Sequence, residues 1–197
     1  MRRALLALAL SSCVLATPAH AHKIISPGHQ DKIARGSFSA SPDSEWNRLQ
    51  QREGKYQESW TRDGDNLNEI TFFGGVPVGE PLFKERDKKD NPLPKVTANM
   101  LVTDIPILLE STYRVHFGTP QMRIGRQEPA EIDGRPGIRF SYAFVRRDDE
   151  VERSGEAIGA VVDGKLYLVT YEAPSLYFFD RDVPNFRQIS STLTIRE

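Results

Sequence analysis

The sequence has little cysteine and almost no excess charge of either sign. A single cysteine among 197 residues excludes a disulfide framework and any zinc site built from cysteines. The 26 basic and 27 acidic side chains leave a formal net charge of -1, which excludes the strongly basic surface of most nucleic-acid binders. Apolar residues make up 39% of the chain, which is enough for one packed domain.

Long hydrophobic runs are also missing. No stretch reaches the roughly twenty apolar residues that a transmembrane helix needs. A shorter apolar run lies in residues 1–21, after Arg2 and Arg3 and before the small-x-small site formed by Ala19 to Ala21. This is the pattern of a signal peptide. We therefore expect export across a bacterial inner membrane, a periplasmic location and a mature chain that begins at His22.

A second interpretation of the same segment is lipidation. The letters LSSC at residues 10–13 fit the bacterial lipobox, in which Cys13 is acylated and becomes the N-terminus. Acyl chains would then anchor the protein to the outer or inner membrane. The apolar run ahead of Cys13 is short for such a signal, whereas the site after Ala21 is well placed. The pattern favours simple secretion, with the lipoprotein as the alternative.

The rest of the chain is divided by turn signals. Residues 22–36 contain Ser26, Pro27 and Gly28 with few apolar positions, which predicts an irregular N-terminal arm ahead of a single domain of residues 37–197. A short strand is expected at residues 38–40. Alternating apolar and polar positions predict about six longer strands, at residues 55–61, 67–73, 126–132, 138–146, 151–162 and 165–171.

Two helices are predicted. The first follows Asp104 as N-cap, has Pro106 in its first turn and ends at Gly118. The second is expected to begin near Asp182, with Pro184 in its first turn. Consecutive strands with short turns pair antiparallel, and we expect both helices to cover one face of the sheet. The fold class is therefore α+β.

The order of these elements resembles the Mog1/PsbP-like fold over residues 37–195. The resemblance is carried by the letters SPDSEW at residues 41–46, GKLYL at 164–168 and STLTI at 191–195. Residues 60–75 also look like a segment of uncharacterised exported proteobacterial proteins. The resemblance implies a non-catalytic module that binds or helps assemble another envelope protein, with no cofactor. It assigns no role to any individual residue.

A copper site is the sharpest alternative. Cleavage after Ala21 would expose the α-amine and imidazole of His22, a pair that chelates Cu(II). His29 and His116 remain as second imidazoles, but His116 lies on the apolar face of the first helix, where a core histidine bonded to a carbonyl is the commoner outcome. The alternative function is thus a secreted enzyme or copper protein that uses His22, with His29 as the other candidate ligand.

A possible binding surface surrounds the first predicted hairpin. Trp60 precedes the turn, and Asp63, Asn66 and Asn68 are polar residues in or beside it. If Trp60 is exposed, these residues would form a partner site with an aromatic centre and a polar rim. The competing interpretation places the aromatic residues in the core between sheet and helices.

Overall fold

The protein consists of antiparallel strands and two α-helices. The computed structural model describes residues 23–64, 67–147 and 150–196. The elements in these ranges are β1 (Lys23–Ile25), β2 (Gln30–Ile33), β3 (Phe38–Ala40), β4 (Trp46–Arg48), β5 (Gln57–Thr61), β6 (Glu69–Val76), α1 (Ile105–His116), β7 (Met122–Ile132), β8 (Arg135–Val145), β9 (Glu152–Val162), β10 (Lys165–Pro174), α2 (Phe178–Ser191) and β11 (Thr194–Ile195).

Eight strands form one antiparallel sheet in the order β1-β4-β5-β6-β10-β9-β8-β7, and a small sheet has the order β11-β3-β2. The predicted α+β class is confirmed, and the predicted strands correspond to β5 to β10 in the large sheet and β3 in the small one. The turn between β9 and β10 is the expected one, because Asp163 and Gly164 both have positive φ, 49° and 70°. Two such residues form a type I′ turn, which matches the twist of a hairpin.

The segment predicted as an irregular arm is part of both sheets. β1 pairs with β4, and β2 pairs with β3. Ile25, Ile33 and Ala34 are buried in the core. These apolar residues are separated by turn residues, so they show no alternation in the sequence. Each nevertheless fills a core position, because the backbone around it is held by strand pairing.

The two helices lie on opposite faces of the large sheet, so the expectation that both cover one face is wrong. α2 and the small sheet pack on one face, where Phe186 and Ile189 join Tyr171. On the other face α1 and residues 77–104 pack on the sheet, where Leu109 meets Leu168. The central strand β10 is buried along almost its whole length, which requires a layer on each side.

The boundaries of α1 agree with the prediction, but those of α2 do not. Asp104 is the N-cap of α1, and Gly118 follows its end with a φ of 59°. α2 begins four residues before Asp182, so Pro184 lies inside it. The earlier start buries Asp182 instead of leaving it at the helix end. In the described ranges neither helix combines the length and apolar character needed to cross a membrane.

Candidate functional site

The sheet face beneath α1 is apolar on β8 and β9, whereas β5, the first half of β6 and the second half of β10 carry polar residues there. Alternate residues of a strand point to the same face, and the register brings those of neighbouring strands side by side. Ser59 lies opposite Thr71, and Thr71 lies opposite Thr170. Two residues away on the same strands, Glu69 lies opposite Glu172. Two carboxylates and three hydroxyls therefore share one small area of the sheet.

This polar area is the floor of a cleft of ≈ 450 Å³, which we call the α1 cleft. Its volume is within the range of small-molecule and peptide side-chain sites. The cleft has polar residues on its floor, aromatic residues at its α1 side and a rim from the segment between β4 and β5. Its lining residues are Leu49, Gln50, Gln51, Glu53, Gln57, Ser59, Glu69, Thr71, Phe83, Tyr113, Phe117, Arg146 and Glu172.

Glu172 is a buried carboxylate with both oxygens engaged. The hydroxyl of Tyr113 donates to Oε2 at 2.8 Å, and Nη2 of Arg146 donates to Oε1 at 2.8 Å. The Arg146 guanidinium also lies over the ring of Phe117, 4.3 Å from its centroid. Burial, followed by the charge of Glu172, raises the pKa of Tyr113 well above its ordinary value. The Tyr113 hydroxyl thus remains a hydrogen-bond donor.

Glu69 lies beside Glu172 in the cleft, but its hydrogen-bond partners are neutral hydroxyl groups. Its Oε1 accepts a hydrogen bond from Thr71 Oγ1 at 3.0 Å, and among the described residues it forms no ion pair. Burial, followed by the charge of Glu172, raises the pKa of Glu69 to about 7. Two like charges on adjacent strands resist being ionised together, and Arg146 already serves Glu172. Among the described residues, Glu69 is therefore the carboxyl group of the cleft that is held by hydroxyls, those of Thr71 and Ser59, and not by an ion pair, although the charge of Arg146 also lowers its pKa.

A third carboxylate, Glu53, closes the rim. His116 Nε2 lies 3.0 Å from Glu53 Oε2, and this hydrogen bond is the main cause that lowers the pKa of Glu53. The imidazole is stacked on Phe83 with centroids 4.1 Å apart and planes 8° from parallel. His116 is therefore packed inside the protein, with a carboxylate rather than a carbonyl as its partner.

A glycine on β9 makes room for the aromatic side of the site. Tyr142, Gly155 and Glu172 are neighbours in one row across β8, β9 and β10. The ring of Tyr142 lies over Gly155 so closely that a Cβ at this position would overlap it. The hydroxyl of Tyr142 reaches the neighbourhood of Glu172, which contributes after burial to raising the pKa of Tyr142.

The predicted surface around Trp60 has a different arrangement from the one expected. Trp60 is fully buried, and its Nε1 donates to Glu58 Oε1 at 3.0 Å, so it belongs to the core and not to a surface. Asn68 is also fully buried. Asp63 remains at the surface and pairs with Arg181. Asn66 lies outside the described residues.

Asn68 organises the turn between β5 and β6. Its Oδ1 accepts hydrogen bonds from the backbone N–H groups of Arg62 and Asp63, both at 3.0 Å. Its Nδ2 donates to Asp182 Oδ2 of α2 at 2.7 Å. Although burial opposes it, hydrogen bonds from Arg181 and Asn68 lower the pKa of Asp63. These contacts attach the turn to α2, which is a structural role.

The residues predicted for copper binding or lipidation do not form a metal site in the described part of the chain. His29 lies in the exposed connection between β1 and β2. His22 and Cys13 lie outside the described residues, so their roles remain predictions. In the described ranges no three His, Cys, Asp or Glu side chains form a group that could hold a metal ion.

Sequence reasoning missed the α1 cleft. Glu69 and Thr71 alternate with Ile70 and Phe72, which is typical of a strand with one face in water. The segment that covers this face, residues 77–104, has no regular pattern. The available signal was the acidic residue in the otherwise apolar strand β10, because a charged side chain at a buried position needs a partner or a function.

Comparison with known proteins identifies the fold. No protein-family model and no curated protein matches the sequence. The solution structure of cyanobacterial PsbP (CyanoP) from Synechocystis sp. PCC 6803 matches with a TM-score of 0.53 and 15% identity, over 95% of this chain and 99% of that chain. The chain has a Mog1/PsbP-like fold.

Two further solved structures are similar to this Mog1/PsbP-like chain. A protein from Bacteroides thetaiotaomicron VPI-5482 matches with a TM-score of 0.50 and 7% identity over 88% of this chain, which spans 50% of that protein's length. The Ran-binding protein Mog1p of Saccharomyces cerevisiae matches with a TM-score of 0.46 and 8% identity, over 88% of this chain and 95% of that chain. Identities this low establish a fold and not a function.

Proposed function

We propose that this Mog1/PsbP-like protein is an exported, non-catalytic module of the bacterial cell envelope that binds another envelope protein at the α1 cleft. The observation that carries the proposal is Glu69, a carboxyl group in a preformed cleft that forms no ion pair with a described residue and whose pKa stays raised to about 7. A group that a partner inserts beside Glu69 would supply what the free protein lacks. The cleft floor is a rigid sheet, so the site needs no rearrangement to accept it.

The contacts within the cleft favour binding over catalysis. A pair of catalytic carboxylates needs two groups free to act on a substrate. Glu172 is held by Tyr113 and Arg146, and Glu53 is held by His116. The hydroxyl of Ser59 is hydrogen-bonded to Gln57, Thr71 and the carboxyl group of Glu69, and among the described residues no imidazole is paired with it.

Export is supported by the signal pattern of residues 1–21. The sheet begins at Lys23, directly after the predicted cleavage site, so removal of the first 21 residues would leave every described strand in place. The intact mass of the protein from its native host tests this part of the proposal. A chain that begins at His22 identifies a periplasmic protein, and a copper titration of it then tests the alternative at His22. An acylated chain that begins at Cys13 identifies a lipoprotein, and a chain that retains residues 1–21 contradicts export.

Site-specific photocrosslinking in the native host tests the cleft. A photoreactive residue replaces Gln51, which lies exposed at the cleft rim, and as a matched control Gln127, which is exposed on β7 away from the cleft. We expect one discrete protein adduct from position 51 and none from position 127, with the adduct lost when Glu69→Gln is added. Adducts of equal yield at both positions, or none at position 51, would contradict a partner site at the cleft.

A further inference from the structure

We infer that the group recognised in the α1 cleft is a cation with several N–H donors, an ammonium or guanidinium group, bound by the carboxylate of Glu69. This inference rests on the proposed binding function and specifies its ligand chemistry. The group could belong to a Lys or Arg side chain of a partner protein or to a small free amine. The experiment below distinguishes these sources.

The charges that face Glu69 show which partner is missing. Glu172 faces it from β10, Arg146 from the end of β8, Tyr113 from α1 and Tyr142 from β8. Arg146 is the one cation among these groups, and its guanidinium is fixed by Glu172 and by the ring of Phe117. With Glu69 ionised, the floor carries two carboxylates and one guanidinium, so a second cation would balance it.

The rim does not supply the second cation. Glu53 also lines the cleft, but it is bound to His116 and lies 3.9 Å from a guanidinium nitrogen of Arg86. These groups form their own ion-paired set. A ligand cation in the cleft therefore has Glu69 as its nearest carboxylate without an ionic partner among the described residues.

Two buried hydroxyls lie beside the floor but do not line the cleft. Thr170 and Tyr142 are 1% and 3% exposed. Thr170 lies beside Thr71 in the register, and Tyr142 extends over Gly155 toward Glu172. The Tyr142 hydroxyl lies near those of Tyr113 and Thr170, so these three groups pair with one another and do not compete for a ligand in the cleft.

The aromatic residues argue against a sugar as the ligand. A sugar ring binds on an open aromatic face, but the face of Phe117 is covered by Arg146 and that of Phe83 by His116. The Tyr113 ring meets Phe117 edge-on with centroids 4.9 Å apart. These rings form one apolar side of the cleft, and a charged hydrogen bond to Glu69 is stronger beside apolar groups than in open water.

Isothermal titration of the mature protein tests the inference with three probes. Agmatine presents a free guanidinium and ammonium, the peptide acetyl-Gly-Arg-Gly-amide presents the same group on a backbone, and acetyl-Gly-citrulline-Gly-amide is its neutral counterpart. We expect agmatine, the arginine peptide or both to bind, and at least tenfold weaker binding of the citrulline peptide. Agmatine alone identifies a free amine as the source, and the arginine peptide alone identifies a protein side chain.

Matched variants locate the binding. Glu69→Gln keeps the shape of the side chain and removes its charge, and we expect it to weaken binding at least tenfold. Glu128→Gln, on β7 outside the cleft, should leave binding unchanged. For the wild type, affinity should rise about thirtyfold between pH 5.5 and pH 8, since Glu69 must lose its proton to bind a cation, and Glu69→Gln should abolish this dependence.

Equal binding of the citrulline and arginine peptides would overturn the inference, as would cation binding that Glu69→Gln leaves intact. If no probe binds but the crosslink from position 51 persists, the ligand chemistry is wrong and the proposed binding function stands. If cations bind through Glu69 but no crosslink forms, the cleft is a cation site and the protein partner is wrong.

Discussion

At the residue scale, Glu69 and Glu172 show how contacts decide the state of a carboxyl group. Both lie on the same sheet face and are partners in the register of β6 and β10. Glu172 receives a guanidinium and a phenol, whereas Glu69 receives the hydroxyls of Thr71 and Ser59. Burial, followed by the charge of Glu172, outweighs these hydrogen bonds and raises the pKa of Glu69 to about 7, so the group can change its charge in the neutral range.

Glu69→Gln should make the stability of the protein less sensitive to a rise in pH from acidic to neutral. The pKa of Glu69 is raised from 4.5 to about 7, so the folded state holds a proton that the unfolded chain has already lost between these values. The free energy of unfolding of the wild type therefore falls as pH rises through this window. We expect the variant to gain about 3 kcal/mol relative to wild type between pH 4 and pH 8. Urea unfolding at both pH values measures this, and a constant difference between the two proteins would contradict it.

Asn68→Ala should be strongly destabilising, although Asn68 lies next to a surface turn. The substitution leaves two backbone N–H groups without their acceptor and removes one donor from the buried Asp182, which keeps Arg62 and Arg181, and we expect it to cost about 3 kcal/mol in the free energy of unfolding. Asn91→Ala in the exposed loop is the control and should change stability by less than about 0.5 kcal/mol. A similar small effect for both variants would show that Asn68 does not hold the turn against α2.

At the element scale, local patterns predicted the elements that have strong end signals. The β9–β10 hairpin and α1 were correctly placed, because Asp163-Gly164, Asp104 and Gly118 act within a few residues. The start of α2 was misplaced by four residues, since Asp182 is a good N-cap by type but is needed inside the helix to meet Asn68. Long-range contacts of this kind cannot be predicted from the neighbouring residues in the sequence.

Substitution of Gly155 tests the close contact between β9 and the Tyr142 ring of β8, which lies beside the cleft. Gly155→Ala would place a methyl group into the Tyr142 ring and should lower the free energy of unfolding by about 3 kcal/mol. Tyr142→Leu removes the ring, so the double variant should lose clearly less stability than the sum of the two single changes. Thermal unfolding of the four proteins measures this coupling, and simple additivity would contradict the contact.

At the scale of the whole molecule, the sequence predicted the class and the order of elements but not the two-sided packing. The α1 face of β6 has polar residues that look solvent-facing, and residues 77–104 cover it without a regular pattern. The cleft was missed for the same reason. Its residues come from β5, β6, β10 and α1, from the segment between β4 and β5, from residues 77–104 and from the positions just after α1 and β8, and only the fold brings them together.

The N-terminal strands should be indispensable to the domain. Ile25, Ile33 and Ala34 are buried, and the backbone N–H of Ala34 donates to Glu58 Oε2 at 3.2 Å. A chain that begins at Ser37 should lose about 5 kcal/mol, a large part of the stability of an ordinary domain. A chain that begins at His22 is the control. Equally cooperative denaturation of both chains would show that residues 23–36 are a dispensable arm.

The most direct test of the central claim is the titration of the Glu69 carboxyl carbon by NMR between pH 4 and pH 9. The α1 cleft is a binding site on this account because the half-buried Glu69 lies beside Glu172 and forms no ion pair with a described residue. A midpoint near pH 7 in the free protein, which falls when agmatine or the arginine peptide binds, is the predicted result. A midpoint near the ordinary value of 4.5 in the free protein would show that Glu69 is already compensated, and would contradict the account.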